Sequence, residues 1–95
     1  MQIKSSSNQV TITGNIKTIG DFQHIKSCID EVALNNKTIV INIVDSISVT
    51  SSVIGYFNKL VQKDGKELQM LIGDEQLIQL IDDLNLISIF KARKV

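Results

Sequence analysis

Seven consecutive residues, Thr38 to Val44, read Thr-Ile-Val-Ile-Asn-Ile-Val. Branching at Cβ crowds a helix but suits a pleated strand, so this segment is a strand. Its apolar run is broken only by Asn42, the pattern of a central strand covered on both faces. Such a strand needs partners on either side and helices to hide it. It therefore constrains the rest of the chain more than any other segment does.

The flanking sequence supplies both. Val10-Thr11-Ile12-Thr13 alternates apolar and polar and stops at Gly14-Asn15, so it reads as a strand and a turn. Gln2 to Lys4 offers a short strand to pair with it across Ser5 to Gln9. Phe22, Ile25, Cys28, Ile29, Val32 and Ala33 then recur at three- and four-residue steps, one face of a helix. Thr18 with Asp21 resembles a capping box at its start, and Asn35-Asn36 closes it as a left-handed cap. After the central strand, Val53, Phe57, Leu60 and Val61 mark a second helix that ends at Asp64-Gly65. Leu68 to Ile72 is another strand. Leu77, Leu80, Ile81 and Leu84 mark a third helix opening at Asp74 or Glu75, and Ile87 to Phe90 reads as a last short strand.

The element order is ββαβαβαβ. Strand-helix alternation implies crossovers and a largely parallel sheet, and the opening hairpin adds an antiparallel edge. The expected fold is a single α/β domain over residues 1–95: a mixed, largely parallel sheet with an antiparallel N-terminal hairpin, covered by three helices.

Composition narrows the function classes. Lys and Arg total 10 and so do Asp and Glu, so no basic excess exists for a nucleic-acid partner. A single cysteine, Cys28, forms no internal disulfide and fits a reducing compartment. On the helical stripe it reads as a small buried hydrophobe. No run approaches 18 apolar residues and no charged-then-apolar leader follows Met1, so the expectation is a cytoplasmic protein without membrane insertion. His24, the one histidine, lies beside the stripe and reads as exposed. No histidine–cysteine spacing suits zinc and no glycine-rich phosphate loop occurs, so no cofactor, metal or catalytic residue is expected.

The segment after the central strand is different. The chain crosses Asp45 to Val49, with small residues at Ser46 and Ser48, and reaches three hydroxyls in a row, Thr50-Ser51-Ser52. One of them caps the coming helix. The unpaired N–H groups and dipole of a helix start would also stabilise a phosphate there.

Here the chain resembles the STAS family, the sulfate-transporter and anti-sigma-factor-antagonist domains. The bacterial anti-sigma-factor antagonists carry a Leu-Asp-Leu strand, a short loop, then Asp-Ser-Ser-Gly-Leu-Gly opening a helix. Laid without gaps, Leu-Asp-Leu falls on Ile41-Asn42-Ile43 and the hexapeptide on Thr50-Ser51-Ser52-Val53-Ile54-Gly55. An Ile/Leu-x-Gly strand end before the first helix is matched by Ile12-Thr13-Gly14, and the tail resembles Leu68 to Phe90. The likeness spans nearly the whole chain, mostly as pattern rather than identity.

The resemblance implies a non-catalytic partner switch. Ser52 would be the phosphoacceptor of a serine kinase that doubles as an anti-sigma factor, with a PP2C-type phosphatase to reset it. Ser48, Thr50, Ser51, Ser52 and Val53 would form the partner-binding surface. Two positions depart from the family: Thr50 stands for the motif Asp and Val53 for the motif Gly, adding bulk beside the Ser52 hydroxyl. These departures fit an alternative, a constitutive interaction subunit of a stressosome-like or lipid-transport assembly that is never phosphorylated.

Overall fold

The apolar stretch is the middle strand, β3 (Thr38–Ile43), of a five-stranded sheet in the computed structural model, which describes residues 1–95. Before it come β1 (Gln2–Ser6), β2 (Gln9–Thr13) and helix α1 (Ile19–Ala33). After it come α2 (Ser51–Gln62), β4 (Glu67–Ile72), α3 (Glu75–Asp83), α4 (Ile87–Phe90) and β5 (Ala92–Lys94). β1 runs antiparallel to β2, and β2, β3, β4 and β5 pair in parallel. The mixed sheet with its antiparallel hairpin is thus the expected one. The hairpin turn is tighter than expected, only Ser7 and Asn8, with Ser7 at a φ of 56°.

Strands lie side by side in chain order, β1 to β5. Each parallel crossover therefore steps the same way, and the right-handed rule puts every connecting helix on one face. Burial agrees. Val10, Ile12, Ile39, Ile41, Ile43, Leu68, Met70, Ile72 and Ala92 are buried, and the register aligns them across the sheet, with Val10 beside Ile41 and Ile41 beside Met70. Thr11, Val40, Asn42 and Leu71 are half-buried on the opposite face, with exposed Gln9 and Gln69 among them. The central strand is therefore covered on one face, not two. Val40 mimics a second buried face in the sequence, but a sheet wound in one direction has no helix to place over it.

The helices pack Ile25, Ile29, Val53, Phe57, Leu60, Leu77 and Ile81 onto the covered face. Cys28 departs from expectation: it is half-buried, on the flank of the stripe formed by Ile25, Ile29 and Val32. His24 is exposed. At the α1 start, Thr18 Oγ1 accepts from Asp21 N at 3.0 Å while the Asp21 carboxylate accepts from Thr18 N at 3.1 Å, a reciprocal capping box. The backbone N–H groups of Lys17 and Thr18 hold the Asp21 carboxyl below its ordinary range. At the other end no asparagine turns left-handed; Asn36 Nδ2 instead donates to Val32 O at 2.9 Å. Lys66 Nζ adds bonds to Ala33 O at 2.7 Å and Asn36 O at 3.0 Å, placing a cation at the negative end of the helix dipole.

Ile87–Phe90 is a helical turn, not the final strand. Phe90 is fully buried and meets Phe57 edge to face, with centroids 6.0 Å apart at 86°. Ile87 and Phe90 stand three apart, a helical step that the alternation Ile87-Ser88-Ile89 hides. Lys91, at a left-handed φ of 48°, turns the chain into β5. Four helices thus cover the sheet instead of three.

Candidate functional site

Helices that connect parallel strands run back against them, so the starts of α1, α2 and α3 gather where β2, β3 and β4 end. Three cap residues stand along this rim: Thr18, Thr50 and Asp74. α1 has Asp21 in its first turn and α3 has Glu75 beside its Asp74 cap, whereas α2 has no acid in its first turn. Its positive dipole end meets only hydroxyls.

Of the three consecutive hydroxyls, Thr50 is the cap. Its backbone is extended and its Oγ1 accepts from Val53 N at 3.3 Å. Ser51 and Ser52 are the first two residues of α2, and both are exposed. Neither side chain takes part in a hydrogen bond within the chain. Ser48 is exposed and Thr50 half-buried. These four share the rim. Val53 does not: it is 0% exposed and points into the core. It leaves the proposed surface for this reason, and its branched side chain puts no bulk beside the Ser52 hydroxyl.

Gly55 lies one turn beyond Ser51 and Ser52 on the same side of α2, and a Cβ built there meets nothing within 4 Å. Val44 and Ile47 bring exposed apolar surface to the rim, Ile47 at 48%. Ile19, 76% exposed, adds more at the start of α1. The surface hollows lie elsewhere, along α3 and β5 and between the hairpin and the end of α1. Ser48, Thr50, Ser51 and Ser52 line none of these hollows.

What holds this surface was not legible in the sequence. Four hydrogen bonds continue the β2–β3 pairing past the sheet: Val44 N to Ile12 O at 3.0 Å, Gly14 N to Asp45 Oδ1 at 2.8 Å, Ile16 N to Ser46 Oγ at 3.1 Å, and Ile47 N to Asn15 Oδ1 at 3.1 Å. Ser46, expected only as a small loop residue, is the one polar side chain in the fully buried set. Gly73 closes the rim from β4: its N–H donates to Ile43 O at 3.0 Å, and a Cβ there would lie 2.0 Å from Val44 O.

On the seam between α1 and α2, Tyr56 Oη donates to Asp30 Oδ1, and Lys26 Nζ reaches Asp30 Oδ2 at 2.8 Å. Burial and then the Asp30 carboxylate push the Tyr56 phenol far above its ordinary pKa. Burial pushes the Asp30 carboxyl upward, but the bonds from Lys26 and Tyr56 outweigh it and the net direction is downward. The cluster joins α1 to α2 beside the buried face of Val53, Phe57 and Leu60, opposite which Ser51 and Ser52 are exposed. No helix is long and apolar enough to cross a membrane.

Compared with known proteins, the chain matches no family model and none of the curated proteins.

Proposed function

We propose that this protein is a cytoplasmic, non-catalytic regulatory module of the STAS type, an anti-sigma-factor-antagonist-like switch that docks its partner through the rim around Ser52. The partner is an anti-sigma factor or related serine-kinase-like regulator, and a phosphatase of the PP2C type resets the switch. The observation that carries this reading is the exposure of Ser52 on the first turn of α2, with its hydroxyl free of any bond within the chain. The burial of Val53 supports it, because Ser51 and Ser52 on the first turn, and Gly55 one turn on, are then presented without the Val53 side chain among them. Gly55 in a helix interior costs about 0.5–1 kcal/mol relative to Ala, and no contact within the chain offsets that cost. A close approach by another protein's backbone would give it a use. Phosphate on Ser52 would place a dianion on the docking rim and release the partner through desolvation cost and charge repulsion.

One observation favours the second reading, a constitutive interaction subunit in a larger assembly. The α2 cap is the hydroxyl of Thr50 rather than a carboxylate, and the first turn that carries Ser52 contains no acid. The two readings separate in one experiment. The wild-type chain and its Ser52→Ala and Ser52→Asp variants are used to retain partners from the native cells, and Ser52 is assayed for phosphate by mass spectrometry. A switch gives phosphate on Ser52 and loss of one defined partner with Ser52→Asp. No phosphate, with the same partner held equally by all three forms, establishes the constitutive subunit.

A further inference from the structure

The fold leaves one buried hydroxyl with work on both sides of it. Ser46 is 0% exposed, its Oγ accepts from Ile16 N at 3.1 Å, and its O–H donates to Ser48 O at 2.7 Å. Ile16 belongs to the loop between β2 and α1, and Ser48 to the loop that delivers Thr50 to the start of α2. A single side chain therefore bridges two loops that are 30 residues apart in sequence. A hydroxyl can do this because it donates one bond and accepts others at once. Alanine would leave the Ile16 N–H, a buried donor, without a partner.

The tie has a second strand nearby. Asn15 Oδ1 accepts from Ile47 N at 3.1 Å, so residues 15 and 16 grip residues 46 and 47 in opposite directions. Gly14 N adds a third tie, to Asp45 Oδ1 at 2.8 Å, and of these bonds the one to Ser48 O stands nearest in the chain to Thr50–Ser52. The next fixed points are local: Thr50 Oγ1 accepts from Val53 N at 3.3 Å, and Thr50 O from Ile54 N at 3.1 Å.

We infer that Ser46 is a positioning residue that joins the Asn15–Thr18 loop and the Ser48–Ser52 turn into one ordered surface, so that the rim carrying Ser52 includes the exposed Lys17 and Ile19. The inference deepens the docking role proposed above and rests on it for its functional meaning, though its test needs neither partner nor phosphate. Order at the α2 cap then depends on a loop before α1, and a disturbance at either place is felt at the other.

Amide hydrogen exchange on the full chain reads this directly, with global stability measured in urea for each variant. Ser46→Ala should quicken exchange at Ile16, and also at Val53 and Ile54, by at least about tenfold more than at the core amides of Ile41 and Met70. Asn15→Ala changes an exposed residue and leaves the fold intact. It should loosen Ile47, Ile16 and Val53 together, and it carries the test should Ser46→Ala fail to fold. Ser46→Thr keeps the hydroxyl and should restore Val53 and Ile54 relative to the core. The inference is overturned if Ile16 quickens alone, which would make Ser46 a local cap. It is equally overturned if all amides quicken in proportion to the loss of global stability, which would make Ser46 ordinary packing. A Ser52 that never takes phosphate would end the switch reading and leave this result standing.

Discussion

Tyr56 donates its hydroxyl to Asp30, and Lys26 completes the cluster from one turn before Asp30. The Lys26 ammonium also lies 5.6 Å from the centre of the Tyr56 ring, and Phe22 meets that ring edge to face at 6.3 Å. α1 and α2 are thus joined by a polar bond set in an aromatic seam. The bond adds to the burial of Val53, Phe57 and Leu60, which turns that face of α2 to the sheet and leaves Ser51 and Ser52 facing water.

The cluster predicts an acid-sensitive contribution to stability. The Asp30 pKa is lower folded than unfolded, so the folded state favours the carboxylate. That contribution is present above the ordinary aspartate range and is lost as pH falls through the lowered folded value. The Tyr56 shift has the opposite sense: its raised pKa keeps the phenol neutral in the fold, so stability declines once pH exceeds the ordinary tyrosine value near 10.0. Tyr56→Phe should cost about 0.5–1.5 kcal/mol near neutral pH, at the low end because Asp30 is half exposed to solvent. Urea titrations from pH 2 to 7 should show a shallower acid limb in Tyr56→Phe than in wild type. Parallel limbs would mean that the bond contributes nothing in solution.

Phe57 is the centre of the helix layer, fully buried and edge-on to Phe90. Phe57→Ala should cost about 3–5 kcal/mol by lost transfer energy and the cavity it leaves. The same change should loosen α4, because Phe90 loses its ring contact. Urea denaturation gives the first quantity and exchange of the Phe90 amide, which bonds Leu86 O at 2.9 Å, gives the second. A loss under about 1 kcal/mol would be incompatible with the packing described.

Gly55 and Gly73 make opposite predictions. Gly55 has open space where a Cβ would stand, so Gly55→Ala should raise stability by about 0.5–1 kcal/mol through helix propensity alone. Gly73 has Val44 O at 2.0 Å from that position, so Gly73→Ala must push the ends of β3 and β4 apart. It should cost about 1–3 kcal/mol, the range for overpacking a close contact. Thermal melts of both variants beside wild type check the pair. If Gly55→Ala is more stable yet binds its partner more weakly, the bare helix face is there for contact.

The contrast between these residues also shows what the sequence makes visible. β3 and the strands beside it follow from β-branched runs, and α1, α2 and α3 from apolar steps of three and four, because these periods record which face is buried. The same periods mislead where burial is decided from far away. Val40 looks like a second covered face, yet the one-directional strand order leaves that side to solvent. Ile87-Ser88-Ile89 alternates like a strand, yet the contact of Phe90 with Phe57, 33 positions before it in the sequence numbering, goes with a helical turn over Ile87–Phe90. At the site, the three hydroxyls announce a cap, and the structure selects Thr50 for it. Ser46 gives no such sign, since its partners Ile16 and Ser48 come together only once the parallel pairing of β2 and β3 has formed.

The last prediction is the switch itself. Ser52 occupies the second position of α2, exposed, with no acid in the same turn. Phosphorylation would add about 1.5–2 negative charges there. The helix N-terminus should favour them by about 0.3–1 kcal/mol, so the fold should survive and only the docking rim should change. Ser52→Asp should accordingly leave the melting temperature nearly unchanged. It should weaken the cognate partner at least about tenfold, a loss of about 1.4 kcal/mol in binding free energy. Ser52→Ala should bind as wild type and refuse phosphate from the partner kinase and ATP. Ser51→Ala, one residue away and equally exposed, should still take phosphate, which assigns the modification to a single hydroxyl. Calorimetric binding and intact-mass measurement on the four chains decide the matter. If wild type gains no phosphate and Ser52→Asp binds as tightly as wild type, the switch is wrong and the rim is a fixed interface. Burial of Val53 leaves steric shielding unable to explain that result, and the missing acid at Thr50 would be its most direct cause.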